Sequence, residues 1–415
     1  MKPKNITSKL AWRNVWRNKR RTLLTLLTIM VGCAMIIFMN AIGKGGHDQM
    51  IEDAVALNAG HIQIHEKGFW ENQTLDYAFE PSSELLDRLG NDSRIAAFAE
   101  RVMTGGLLSF GDNTRGMLIQ GVDPEHEKQV SNLHTKIMPG GRFLTPEDTT
   151  HAVIGETLAK NTGVRIGDQI AMISQGFDGS IAAERFTVVG RFRSGTPDYD
   201  RELILIPLTQ AKETFTMMGF IHSIAIRLDD ASYLPQVRES LLSLTSRDET
   251  QLEVMGWDEL MPELVQFIVM DDISAYIFIF ILFMIVAFGV LNTIQMSVFE
   301  RTREFGVMLS IGTLPGQITS MILLESVIIS IIGIIFGIIL GYGISLYFQI
   351  NPMDYSSYAK EMAVWGVATT IFPAKTTSLN IIVTSILTFV LAVLFSVFPA
   401  RRAAKLNPVE AIRKL

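Results

Sequence analysis

Cysteine is almost absent from these 415 residues: Cys33 stands alone. No disulfide can form within one chain, so whatever folds here is held by its own core. Charge is scarce as well. Asp, Glu, Lys and Arg make up 19% of the chain, and the stretches 22–43, 273–299, 326–352 and 376–400 contain none of them. A helix needs roughly 20 apolar residues to cross the hydrocarbon core of a bilayer, so each run can span it. The spans read as 23–43, 273–299, 318–346 and 379–400, and the third places Glu325 about two turns inside the helix.

Motifs for phosphate cradling and nucleophilic catalysis are missing too. Neither a G-x-x-x-x-G-K-[ST] loop nor a G-x-S-x-G elbow occurs within the 415 residues, so no catalytic residue and no nucleotide site are expected on them. If the protein does driven work, its energy source sits on another chain. Acid is missing from residues 1–22, which carry Lys2, Lys4, Lys9, Arg13, Arg17, Lys19, Arg20 and Arg21. The apolar run that follows is too long for the core of a signal peptide, and an uncleaved anchor is expected.

Cations mark the inner side of a membrane. The tail, 401–415, carries Arg401, Arg402, Lys405, Arg413 and Lys414 against Glu410 alone. Both termini are therefore expected in the cytoplasm, with 44–272 and a loop at 347–378 outside and 300–317 inside. The net charge of −6 conceals the asymmetry: residues 45–272 hold 36 acids and 18 bases, and the remainder 6 acids and 18 bases. A basic rim suits an anionic inner leaflet, so the lipid membrane is an expected partner and nucleic acid is not.

The large insertion has the mixed periodicity of an α+β domain. Strand-like alternation runs through His61–Ile64, Gly116–Gln120 and Phe186–Gly190, and helical spacing through Ser83–Leu89, Leu208–Phe215 and Leu234–Leu244. Residues 58–130 and 217–256 are expected to form one unit with 131–216 inserted as a subdomain. The ends, 44–57 and 257–272, lack turn signals and are expected to continue the spans as helical stalks. All seven histidines, His47, His61, His65, His126, His134, His151 and His222, lie in this insertion. The H-E-x-x-H pattern fails at His65 and at His126, and on a strand His61 and His65 sit roughly 13 Å apart. Packed or surface histidines are expected rather than a metal site.

Three inner segments can meet a partner. In 1–22, Ala11, Trp12, Val15 and Trp16 form an apolar stripe opposite Arg13, Asn14, Arg17 and Asn18, an amphipathic helix for the membrane surface that is either a topology anchor or a partner contact. In Phe299–Gly312, Phe305, Met308 and Ile311–Gly312 are placed on one face and Glu300, Arg301 and Glu304 on another. Such a loop is either a docking helix or a solvated charged turn. The third is the tail, which by itself says only that transfer stops. Within the spans, Gly333, Gly337 and Gly341 make a small-xxx-small face for helix packing or dimerisation. Glu325 is an intramembrane acid that wants a partner the sequence does not name.

These segments carry a family resemblance. Leu10-Ala11-Trp12-Arg13-Asn14 with Arg17-Asn18-Lys19-Arg20-Arg21-Thr22, then Glu300-Arg301-x-Arg303-Glu304-Phe305-Gly306 with Gly312, and Pro399-Ala400-Arg401-Arg402-Ala403 with Asn407-Pro408-Val409-Glu410-Ala411-Ile412 resemble the FtsX-like permeases. These are the mechanotransmitting, type VII ABC systems. In the insertion, Gly121-Val122-Asp123-Pro124, Gly141-Arg142-Phe143-Leu144, Val153-Ile154-Gly155-Glu156 with Leu158-Ala159, Gly167-Asp168 and Val188-Val189-Gly190 resemble the MacB-type periplasmic core.

The resemblance implies a four-helix membrane protein with a MacB-type periplasmic domain between helices 1 and 2, in a bacterial inner membrane. It implies that 300–317 is a coupling helix, with Glu300, Arg301, Arg303, Glu304, Phe305, Gly306, Met308 and Gly312 meeting a cytoplasmic ABC ATPase that holds the ATP and Mg. A second permease copy or paralogue and a periplasmic carrier or adaptor are further implied partners. The layout favours the lipoprotein-releasing LolC and LolE branch. A signalling scaffold for a periplasmic hydrolase and an exporter working with an outer-membrane channel stay open.

Overall fold

The computed structural model describes residues 4–245, 251–358, 361–362 and 369–413. Parts of the expected N-terminal segment, of the 217–256 unit, of the 347–378 loop and of the tail lie outside the described residues. The chain forms two compact units, Met1–Asp48 with Ile268–Asp354 and Ile371–Leu415, and Gln49–Phe267 with Tyr355–Thr370.

The first unit is a helix bundle. Its elements are α1 (Lys4–Arg17), α2 (Lys19–Ala54), α11 (Pro262–Glu300), α12 (Thr302–Ser310), α13 (Pro315–Ile350), a short hairpin of β10 (Met353–Asp354) and β11 (Ile371–Phe372), α14 (Ser378–Ala404) and α15 (Pro408–Arg413). Among the described residues, four helices are long and apolar enough to cross a membrane. At 1.5 Å per residue, the 36 residues of α2 and the 39 of α11 reach about 54 and 58 Å, well beyond a hydrocarbon core of about 30 Å.

α2 runs on past residue 43 to Ala54, as a helical stalk over 44–57 requires, and ends in a π-helical turn, Val55–Ala59. The returning segment is not one stalk: a short α10 (Trp257–Leu260) stops at Met261, and Pro262 opens α11, where a proline suits a first helical turn. α13 outruns the expected 318–346 at both ends, and α14 carries through Pro399 to Ala404 rather than stopping at 400.

Close backbone approach organises the bundle. A Cβ built on Gly333 would lie 2.8 Å from Ile29, on Gly337 2.8 Å from Cys33, and on Gly341 2.9 Å from the Ala34 backbone. The small-residue face of α13 is therefore filled by α2 of the same chain, which takes away the dimerisation reading of those glycines. Gly32 against Val286 and Gly289 against Thr28 do the same between α2 and α11. Ile29, Cys33, Ile37, Val290, Ile294 and Ile322 fill the core.

The second unit is built on a nine-stranded sheet in the order β3-β7-β4-β6-β5-β2-β8-β1-β9. Its strands are β1 (Ile62–Glu66), β2 (Ile95–Phe110), β3 (Asn113–Val122), β4 (His151–Gly155), β5 (Gln169–Gln175), β6 (Ile181–Phe192), β7 (Leu203–Pro207), β8 (Ser223–Leu228) and β9 (Leu252–Gly256). Its helices are α3 (Phe69–Asn72), α4 (Ser83–Asn91), α5 (Pro124–Val130), α6 (Glu156–Thr162), α7 (Pro197–Glu202), α8 (Leu208–Thr214), α9 (Leu234–Thr245) and α10.

The expected separation of 131–216 is not what this sheet does. The first half of β2 pairs with β8 and its second half with β3 and β5, so one 16-residue strand belongs to both parts. The main core cluster crosses both parts, through Ile62, Ile154, Phe186, Ile204, Ile224 and Val254, beside a smaller one of Leu133, Phe143, Val153, Phe192, Leu203 and Leu205. The domain begins and ends on neighbouring strands, since β1 and β9 pair antiparallel with Ile62 opposite Gly256.

Three histidines are packed inside this domain. His222 is fully buried, its Nδ1 accepts from the Met103 N–H at 3.1 Å, and its ring lies 5.4 Å from Phe69. His65 stacks on Trp70 and faces Glu253 at 3.1 Å. Among the described residues, no group of three metal-ligating side chains comes together. Burial pushes the His222 imidazole down to about 4 and lowers His61 and His65 as well.

Two expectations follow. Gly341→Leu should lower bundle stability by about 1–3 kcal/mol through overpacking against backbone that cannot yield, while Gly343→Leu, with open space around it, should be tolerated; thermal unfolding in detergent measures both. For His222, the unfolded chain takes up a proton below its ordinary pKa and the folded chain does not. Stability should therefore fall as pH drops from about 6.5 to about 4, by about 3 kcal/mol from this residue, and His222→Asn should flatten that slope.

Candidate functional site

The candidate site gathers α1, the start of α2, the junction of α11 with α12, and α13. Its most unusual member is Glu325, an acid ten residues into an apolar helix with a side chain only 7% exposed. A carboxylate that far from water must be both neutralised and hydrogen-bonded. Arg301 Nη1 donates to both of its oxygens, at 2.9 and 3.2 Å, and Asn14 Nδ2 donates to Oε1 at 2.8 Å.

Arg301 is positioned by a break in the chain. Its φ of −104° and ψ of 12° end α11 and leave it at the cap of α12. From there the guanidinium points inward at 9% exposure, lies 5.0 Å over the Phe305 ring, and sends its Nε to Glu304 at 3.2 Å. Phe305 is completely buried and Gly306 is buried beside it. Glu304 in turn takes a bidentate bond from Arg17 at 2.7 and 3.2 Å, and Arg21 pairs with Glu300. A continuous polar path thus joins Asn14, Glu325, Arg301, Glu304 and Arg17.

The members of that path differ in weight. Arg17 and Glu304 are about half exposed, and such pairs contribute 0 to about 1 kcal/mol. Partial burial pushes the Glu304 carboxyl up, but the guanidinia of Arg17 and Arg301 prevail and hold it below the usual range. The Arg301–Glu325 pair is the buried one. Removing one partner of such a pair costs about 3–5 kcal/mol because the other charge is stranded.

The expected coupling helix of 300–317 is corrected to the nine residues of α12. It ends in a Schellman motif, with Gly312 N–H bonded to the Leu309 carbonyl at 3.1 Å and Thr313 N–H to the Met308 carbonyl at 3.0 Å. Gly312 has φ +94°, a left-handed conformation that glycine adopts without strain. Leu314 is then held extended by Pro315, which opens α13. The expected apolar face also divides. Phe305 and Met308 pack inward, whereas Ile311, beyond the helix end, is 77% exposed. Arg303, Val307, Ile311 and Leu314 make the outward surface.

The stripe on α1 divides in the same way. Ala11 and Val15 are buried, while Trp12 and Trp16 face out, edge to face at 6.0 Å. Arg13 is exposed. Asn14, assigned to the polar side by periodicity, is the residue that reaches Glu325 across 311 positions of sequence. Periodicity could rank its face but not find that contact.

Residues 22–244 match the MacB-like periplasmic core domain, and residues 276–408 match the FtsX-like permease C-terminal domain. Among curated proteins, the macrolide export ATP-binding/permease protein MacB of Wolinella succinogenes is 26% identical over 426 residues, covering 97% of this chain and 60% of that protein. An uncharacterized ABC transporter permease, YknZ of Bacillus subtilis, is 23% identical and covers 98% of both. The lipoprotein-releasing system transmembrane protein LolC of Neisseria meningitidis serogroup B is 20% identical and covers 94% of both. The chain spans less than two thirds of the length of the MacB relatives it matches. Among solved structures, the periplasmic region of MacB from Actinobacillus actinomycetemcomitans aligns with a TM-score of 0.36 at 17% identity, covering 51% of this chain and 94% of that one.

Glu325→Ala should destabilise the bundle by about 3–5 kcal/mol. The paired replacement Arg301→Met with Glu325→Leu should recover most of that loss, because no charge is left stranded. Thermal unfolding of the three chains in detergent decides it; equal destabilisation by single and double variants would show that the pair is not what matters.

Proposed function

The chain belongs to the FtsX-like permeases that carry a MacB-like periplasmic core domain, a family of ABC transporter permeases, and from that premise we propose that it is a mechanotransmitting permease subunit. In this reading a cytoplasmic ATPase on another chain binds the ATP and Mg, and α12 receives its stroke. One observation carries the reading. α12 is a short helix set between two membrane-length helices, keyed inward by Phe305 and Arg301 and presenting Arg303, Val307 and Ile311 outward. An inward key with an outward surface is what docking into a groove on a soluble partner requires.

The remaining parts fit the same reading. The basic segments at both ends support a reading with the termini and α12 in the cytoplasm of an inner membrane and the inserted domain in the periplasm. Trp12 and Trp16 then lie at the headgroup level, where their amphipathic rings are favoured. α11 and α14 expose apolar side chains such as Ile277, Phe280, Ile386 and Leu394, surfaces for lipid or for a second permease copy. Of the cargoes, a lipid-anchored or other outer-leaflet molecule is preferred, because the match to LolC extends along both chains. A periplasmic carrier would take that cargo away.

The test is association with the ATP-hydrolysing subunit that co-purifies with the tagged chain. Arg303→Glu with Ile311→Asp changes only exposed positions, and should cut that association at least ten-fold while leaving the unfolding temperature unchanged. Undiminished association would refute α12 as the docking element.

A further inference from the structure

The proposed docking element has a mechanical difficulty. α12 is nine residues long and is bounded by two interruptions, the non-helical Arg301 and the left-handed Gly312. A push on a helix so attached turns it about its ends unless a side chain ties it to something long. Phe305 fills a buried site but is apolar and gives no directional bond. The exposed Arg17–Glu304 pair is too weakly held, in water, to carry load.

One group at this junction is both buried and directional. Glu325 receives the Arg301 guanidinium on both oxygens and the Asn14 amide on one, so a single carboxylate of α13 holds the cap of α12 and the last turn of α1. The planar guanidinium also reaches Glu304 through a separate nitrogen, Nε, so displacement at Glu304 is passed to α13 through one rigid fork. We infer that Glu325 is the positioning residue of the coupling step: it fixes α1 and α12 to α13 as one body, so that a stroke on α12 moves the long helix instead of swivelling the short one. α1 is then part of the moving platform and more than a surface anchor. The inference rests on the docking role proposed above.

A positioning role separates from a stabilising one. The experiment uses the complex of the tagged chain with its co-purifying ATPase, in a Cys33→Ala background. A solvent-sensitive dye is attached at Ile181→Cys, an exposed site in the inserted domain, and the response to ATP with vanadate is read. Arg301→Met with Glu325→Leu should keep the unfolding temperature within a few degrees and keep ATPase association within two-fold, yet reduce the dye response at least five-fold. Asn14→Leu, which removes one of the bonds, should reduce it by a smaller factor. A full dye response in the double variant would overturn the inference and leave docking on α12 intact. Loss of ATPase association in that variant would also overturn it, since Glu325 would then serve docking itself. If the wild-type chain binds no ATPase, or its dye does not respond to ATP, the docking reading and this inference fall together.

Discussion

A carboxylate placed where water cannot reach it constrains everything around it. Glu325 needs a cation and a further donor within hydrogen-bond distance, and the chain supplies them from two distant segments, Arg301 and Asn14. The demand is met where α11 ends, with Arg301 leaving helical geometry and turning its guanidinium inward. It also fixes how deep α1 sits, because Asn14 must share the same oxygen. The pair specifies an arrangement more than it strengthens one, which accords with the small or negative net worth of buried ion pairs compared with apolar packing.

The second constraint is the absence of side chains. α2 is held against α13 through Gly333, Gly337 and Gly341, and against α11 through Gly32 and Gly289. In lipid, where the hydrophobic effect does not drive helices together, such close approach supplies dispersion contact over a long interface. The glycines bring α2 against both α13 and α11, and Cys33 is buried where α2 meets Gly337 of α13.

Much of this was legible in the sequence, and the limits have physical causes. The four spans and the large insertion follow from uncharged runs, because hydropathy is a local property. Strand positions such as Phe186–Gly190 and helices such as Ser83–Leu89 follow from periodicity and recur in β6 and α4. The partition of the insertion did not, because strand pairing is non-local and nothing in residues 95–110 announces that β2 pairs in both directions. The stripes on α1 and α12 divide in a way that periodicity does not specify: Ile311 lies at the end of α12, just before the left-handed Gly312, and faces out, while Ala11 and Val15 pack inward and Trp12 and Trp16 face outward. The partners of Glu325, 24 and 311 positions away, were out of reach of any pattern.

The domain's two ends enter on adjacent strands, with Ile62 opposite Gly256. That gives the inserted domain a direction-dependent stiffness. If α2 and α11 are drawn the same way, β1 and β9 share the load and the sheet follows as a block. If they are drawn apart, the hydrogen bonds between β1 and β9 are stressed one after another from the Ile62 end, as in a zipper, and the ladder peels at low force. A domain mounted in this way is stiffer against shear along β1 and β9 than against separation of their Ile62–Gly256 ends.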